Sequence, residues 1–136
     1  MGSLPLAAAA MLTLAMFASG CSEKDLGVTP SQDEQGRYVI RMTSELTFDP
    51  ANAKVPAGAT VIWLNDASMP HDVAGYEGDP IKSDLVDFGS AEKGNGTSYL
   101  IPPGGNYTHD FAGQGTWTIW CHTHHEERMK GIIHVV

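Results

Sequence analysis

Near the C-terminus the run Cys121-His122-Thr123-His124-His125-Glu126-Glu127-Arg128-Met129 gathers a thiol, three imidazoles and a thioether within nine residues. These are soft or borderline donors, and such a mixture selects copper over magnesium or calcium. His124 lies three positions after Cys121 and Met129 eight positions after it. A loop leaving the end of a strand can wrap that many residues around one ion. A second imidazole is offered by Met69-Pro70-His71-Asp72-Val73, fifty residues upstream of the cysteine. Two His and one Cys in a trigonal plane, with a weak axial Met, form the blue-copper arrangement.

Donors so far apart in sequence need a rigid frame to bring them together. After residue 37 helical periodicity is nearly absent, and short β-rich runs recur between turn signals. The runs are 38–42, 60–65, 98–101, 106–111, 115–121 and 131–136. Six or seven short strands at this spacing predict an all-β fold, an antiparallel Greek-key β-sandwich. Within Thr116-Trp117-Thr118-Ile119-Trp120-Cys121, alternation puts Trp117, Ile119 and Cys121 on one face and Thr118 and Trp120 on the other. Trp63, Trp117 and Met42 read as packing residues, and His109 and His134 as strand histidines, His134 on the outer face. The acidic, glycine-punctuated stretch 75–96 fits strands least well. Asp79-Pro80 there could open a helical turn, as an N-cap followed by proline at the first helical position.

The residues resemble a known family. Phe48-Asp49-Pro50, Val55-Pro56-Ala57-Gly58, Val61-Ile62-Trp63-Leu64-Asn65, Pro70-His71 and the stretch 115–131 are similar to elements of cupredoxins of the plastocyanin, pseudoazurin and halocyanin group, over roughly residues 38–136. The resemblance implies a cupredoxin-like sandwich holding one copper ion that cycles between Cu(II) and Cu(I). Carried over position by position, it implies His71, Cys121, His124 and Met129 as the metal ligands. The family ordinarily has Asn after the first His ligand, where it helps tie the two ligand loops together; this chain has Asp72. The family often has an aromatic residue before the ligand cysteine at a partner surface, so Trp120 reads either as a residue for docking or electron passage or as packing.

Other metal readings fare less well. A dinuclear copper centre needs a second cysteine in the loop, and a red-copper site places a carboxylate near position 71 and His at 129; neither pattern is present. Zinc held by Cys121, His122 and His125 would require neighbouring side chains on an extended run to converge. The Cys121-His122 pair resembles the link between copper centres in multicopper oxidases, but those need further His-x-His elements from a second domain. His122 and His125 are therefore expected to face solvent.

The N-terminus has a different character. Residues 4–17 form an almost uninterrupted apolar run, too short for a comfortable membrane span and suited to a secretory signal. Ala18-Ser19-Gly20-Cys21 resembles a bacterial lipobox, in which the signal is cut just before a cysteine that is then lipid-modified. The expected organisation is a lipoprotein-type signal peptide over 1–20, a lipid-anchored polar linker over 21–36 and a cupredoxin domain over 37–136. Cys21 and Cys121 are the only cysteines. With Cys21 lipidated, no internal disulfide can form.

Sixteen acidic residues against eight basic give a net charge of −8 across 136 residues, which argues against a nucleic-acid partner. Residues 22–36 carry four acids and one Lys, so the linker holds −3 of this and the domain −5. Glu77, Asp79, Asp84 and Asp87, against Lys82, form a candidate acidic docking area for a basic partner. No Ser or Thr sits in a nucleophile elbow and no glycines form a phosphate loop, so an enzyme is not expected. The chain reads as a monomeric one-electron carrier on the periplasmic or outer face of the cell envelope, membrane-anchored through Cys21. Its expected partners are redox proteins such as a c-type cytochrome or a membrane oxidoreductase or oxidase. The rival reading is an envelope copper delivery or storage protein using the same ligands.

Overall fold

The computed structural model describes residues 26–78, 88–90, 100–121, 123–124 and 129–136. Nine strands occur among them: β1 (Tyr38–Met42), β2 (Phe48–Asp49), β3 (Asn52–Val55), β4 (Ala59–Asn65), β5 (Ala74–Glu77), β6 (Phe88–Gly89), β7 (Asn106–Phe111), β8 (Gly115–Trp120) and β9 (Lys130–Val135). They form two sheets, ordered β2-β1-β4-β7 and β3-β9-β8-β5-β6. The expected all-β sandwich is therefore present. The sheets are mixed rather than purely antiparallel, because β1 pairs parallel with β4 and β3 parallel with β9. Both parallel pairs arise because the chain crosses to the opposite sheet and back between partners.

Strands rich in β-branched and aromatic residues form where their sequence predicts them. β1 and β7 have the expected bounds, β4 and β8 differ by one residue at one end, and β9 is shifted by one residue at both ends. The expected run 98–101 survives as an isolated bridge between Ile101 and His71, with Ser98 and Tyr99 outside the described residues. β2, β3, β5 and β6 are additional. β5 (Ala-Gly-Tyr-Glu) lies in the stretch that read least like strand, and it pairs with β8 in the register Ala74↔Trp120. Gly75 is required there: a Cβ at this position would run into the Phe88 ring on β6. The possible turn at Asp79-Pro80 lies outside the described residues.

Between the sheets lies one core, comprising among others Ile40, Met42, Val61, Trp63, Phe111, Ile119 and Ile133. Trp63 is fully buried, with Phe88, Tyr107 and Phe111 rings at centroid distances of 6.1, 5.7 and 6.4 Å. His109 joins this end of the core as a half-buried residue stacked on Phe88 at 4.0 Å, and burial lowers its pKa. His134 is half-exposed on β9, 3.4 Å from the Thr116 hydroxyl. A second, smaller cluster of Ala74, Tyr76 and Trp120 lies on the other face of β5 and β8. The alternation predicted for β8 thus holds, and Trp120 packs: the residue is fully buried, edge-on against Tyr76 at 5.8 Å, and offers no exposed face for docking.

Part of the expected linker is ordered. Val28 pairs parallel with Ala53 on the free edge of β3, through hydrogen bonds Val28 N–H to Asn52 O (3.1 Å) and Lys54 N–H to Val28 O (2.9 Å). Further on, Val39 N–H donates to Ser31 O, and an Asp33–Arg37 ion pair (2.7 Å) closes the turn that leads into β1. The proposed signal segment and Cys21 lie outside the described residues.

The Trp63 indole N–H is buried with no hydrogen-bond acceptor. Trp63→Phe removes that donor while keeping a ring, so it is expected to cost under about 2 kcal/mol. Trp63→Ala leaves a large cavity and is expected to cost about 3–5 kcal/mol. Denaturant unfolding of the two variants checks the difference.

Candidate metal centre

β4 ends at Asn65, and the loop after it carries His71 across from one sheet to the other before β5 begins. β8 ends at Trp120, so Cys121 leaves the second sheet at the same end of the sandwich. Met129 immediately precedes β9, and its carbonyl accepts the Cys121 N–H at 3.0 Å. All four residues expected to bind the metal therefore gather at one end. The His71, Cys121 and His124 ligand atoms lie within 4.8 Å of one another. Nδ1 of His71 is 3.1 Å from Nδ1 of His124, and the Cys121 sulfur is 3.9 Å and 3.4 Å from these two nitrogens. Met129 is fully buried in the same hydrophobic cluster as Cys121. His122 and His125 lie outside the described residues, as do Asp79, Lys82, Asp84 and Asp87 of the acidic area; Glu77 is exposed.

Three neighbours hold the donors in place. Nε2 of His71 lies 3.1 Å from the Thr43 carbonyl, in the turn between β1 and β2. A carbonyl only accepts, so the proton is on Nε2 and Nδ1 is left with a lone pair facing His124 and Cys121. Asn65 is buried and uses its whole amide. Nδ2 donates to Met69 O and Ile101 O, both at 2.9 Å, and Oδ1 accepts from Ala67 N–H. It thereby fixes the loop that carries His71. Asp72 fixes the other loop: its Oδ1 accepts from the Thr123 N–H (3.1 Å) and hydroxyl (3.2 Å) and lies 2.9 Å from the Cys121 sulfur. The Asp72 N–H also points at that sulfur, at 3.4 Å. Asp72 thus performs the loop-tying expected of Asn at this position, but with a carboxylate. Thr43 and Thr123 were not candidates from sequence. Thr43 acts through a backbone carbonyl, which carries no residue-type signal.

Burial sets the protonation states. It pushes the Cys121 thiol up to about 11, and it lowers the pKa of His71, so the imidazole is neutral and free to donate its lone pair at pH 7. His71 and Cys121 are fully buried, while His124 is half-buried; Pro70, next to His71 in the chain, is exposed. The site fits copper: the thiol and the two imidazole nitrogens are soft or borderline donors, while the nearby Asp72 Oδ1 is engaged by the Thr123 N–H and hydroxyl.

A two-sheet sandwich with a His-Cys-His cluster at one end defines a cupredoxin-type copper protein. Residues 37–136 match the family of copper binding proteins described as the plastocyanin/azurin family, and the chain belongs to it. It is 34% identical over 90 residues to plastocyanin of Scenedesmus fuscus, covering 66% of this chain and 87% of that one. It is 30% identical over 86 residues to the chloroplastic plastocyanin of Tetradesmus obliquus, covering 63% of this chain and 56% of that longer one. Among solved structures, a purple cupredoxin from Nitrosopumilus maritimus superposes with a TM-score of 0.56 at 23% identity, covering 72% of this chain and 98% of that one. A Cu(I) amicyanin mutant superposes with a TM-score of 0.57 at 22% identity, covering 75% and 84%. These two likenesses concern the fold.

Two outcomes are expected. Asp72→Asn keeps an acceptor for Thr123 but removes negative charge beside the sulfur, so voltammetry of the copper-loaded protein is expected to show a higher reduction potential, by on the order of 50 mV. Separately, copper must displace the thiol proton, and that proton is held up to about pH 11. The Cu(II) affinity measured against a competing chelator is therefore expected to keep rising about tenfold per pH unit past pH 9. Flattening near pH 9 would show that the thiol is not raised.

Proposed function

We propose that the protein is a mononuclear blue-copper electron carrier of the cell envelope, with His71, Cys121 and His124 as its main ligands and Met129 as a weaker fourth. The observation that carries this reading is the convergence of two imidazole nitrogens and one thiol in a buried pocket, with Met129 buried beside them. Family membership over residues 37–136 supports it independently. Copper, when bound, supplies a one-electron couple between Cu(II) and Cu(I).

The chain's own residues do the rest. The Thr43 carbonyl and the Asn65 amide hold His71 in one orientation, and Asp72 and Thr123 hold the Cys121 loop. Ligands fixed by such contacts move little between oxidation states, which keeps reorganisation small. The surrounding Val73, Ile101 and Ile119 are almost wholly buried and keep water from the sulfur. The half-buried His124 is the ligand through which an electron reaches a docked protein. A redox protein partner and an electron-carrying rather than enzymatic role follow from that arrangement. The lipobox-like Ala18-Ser19-Gly20-Cys21 supports lipid anchoring at Cys21 and a position on the periplasmic or outer envelope face.

Adding Cu(II) to the purified protein is expected to give strong absorption near about 600 nm from thiolate-to-copper charge transfer, with reversible one-electron redox. Cys121→Ser is expected to abolish the colour and His122→Ala to leave it. A colourless, labile Cu(I)-preferring site would instead favour copper delivery or storage.

A further inference from the structure

The ordered end of the linker has a direction. Val28 pairs with Ala53 in parallel, and β3 pairs in parallel with β9, Ala53 facing Ile133. β9 begins at Lys130, directly after Met129. Among the described residues, the chain therefore enters Val28 from the side of the metal end of the sandwich. Gly27 shows how closely the chain approaches this edge. It has φ of 83°, and a Cβ there would strike the Asn52 carbonyl, so only glycine lets the chain press this closely on β3. Asn52 faces Ile132, three residues from Met129, or about 10 Å along the strand.

Four residues separate Cys21 from Leu26, five Cα–Cα steps and a leash of at most about 18 Å when fully extended. Turning the opposite end of the sandwich toward a membrane would require the chain to double back past β9. The five steps from Gly131 to Val136 alone take about 17 Å, which consumes the leash before any turn is counted. Downstream, Val28, Ser31 and the Asp33–Arg37 turn tie the segment down, so it cannot swing free as a unit.

We propose that residues 26–32 form a strap that delivers the lipid anchor to the metal end of the domain, so that the His124 edge is held toward the bilayer and serves a redox partner whose own electron site lies at the membrane surface. This rests on the reading that Cys21 is lipidated. The strap is an orienting element: its backbone bonds run to Asn52, Lys54 and Val39, none of them a metal ligand, and its effect is on where the copper stands relative to the lipid headgroups.

The test uses the full chain, processed in a lipoprotein-competent bacterial host, loaded with Cu(II) and placed in phosphatidylethanolamine–phosphatidylglycerol vesicles that contain nitroxide-headgroup lipid. Double electron–electron resonance between Cu(II) and nitroxide is expected to show distances beginning near about 20 Å, as the leash and strand lengths require. Inserting twelve Gly/Ser residues between Asp25 and Leu26 is expected to move the distribution outward with the blue colour unchanged. Val28→Pro, which removes the N–H that bonds Asn52, is expected to broaden it likewise. A distribution that begins beyond about 40 Å, or one indifferent to the longer leash, overturns the orientation while leaving the anchor intact. Mass spectrometry showing an unmodified Cys21 overturns the anchor, and the orientation with it.

Discussion

One carboxylate joins the two halves of the metal site. Asp72 sits next to His71, in the chain that crosses from the first sheet to the second, and its Oδ1 meets Thr123 and the Cys121 sulfur beyond the end of β8. Each ligand loop by itself is a connection a few residues long, free to take several shapes. Joined through Asp72, they share one geometry, and the separation of Nδ1 of His71 from Cys121 Sγ is set by the frame and not by a metal. The same oxygen brings negative charge to the atom that must become a thiolate. The interaction that preorganises the site therefore also favours the more highly charged oxidation state of a bound copper. An amide in this place would tie the loops without that bias.

The site is continuous with the core. Cys121 and Met129 belong to the same buried cluster as Ile119, Phe111 and Trp63, and Ile101 bridges directly to His71. Packing of the sandwich and placement of the ligands are thus one problem: side chains that fill the space between the sheets also close the pocket to water. Dryness has two consequences. It keeps the thiol protonated until a metal displaces the proton, and it keeps His71 neutral. The apo site is in the right state for His71 and in the wrong one for Cys121.

How far the sequence could be read follows from where each signal resides. β1, β4, β7, β8 and β9 are dense in Val, Ile, Trp, Tyr and Thr and were legible almost to the residue. Strands such as Asn52–Val55 and Ala74–Glu77 were not, because Asn, Ala, Lys and Gly carry little strand preference. Those strands exist through contacts made across the fold: Gly75 leaves room for Phe88, and Ala74 and Tyr76 pack on Trp120. For the same reason alternation could give the face of Trp120 but not what covers it. His71, Cys121 and His124 were legible because donor type and spacing are written in the sequence. The Thr43 carbonyl was invisible to such a reading, and Asn65 was visible only as part of a family pattern, without its three hydrogen bonds.

The ordered linker answers a structural need as well as an orienting one. β3 is the edge strand of its sheet, and an open edge presents unpaired N–H and C=O groups to any other chain. Val28 occupies part of that edge with its own backbone, satisfying Lys54 N–H and Asn52 O. Composition alone assigned the segment to a flexible tether, since it is polar, acidic and contains Pro30 and two glycines. Composition measures how little apolar surface a segment can bury, and that criterion does not count backbone hydrogen bonds offered by a waiting edge. Gly27, one of the residues that made the stretch look loose, is the one that permits its closest approach. Because a strand edge has a direction, covering it also fixes which way the preceding chain leaves. Protection of β3 and exit of the chain toward the metal end are consequences of the same two hydrogen bonds.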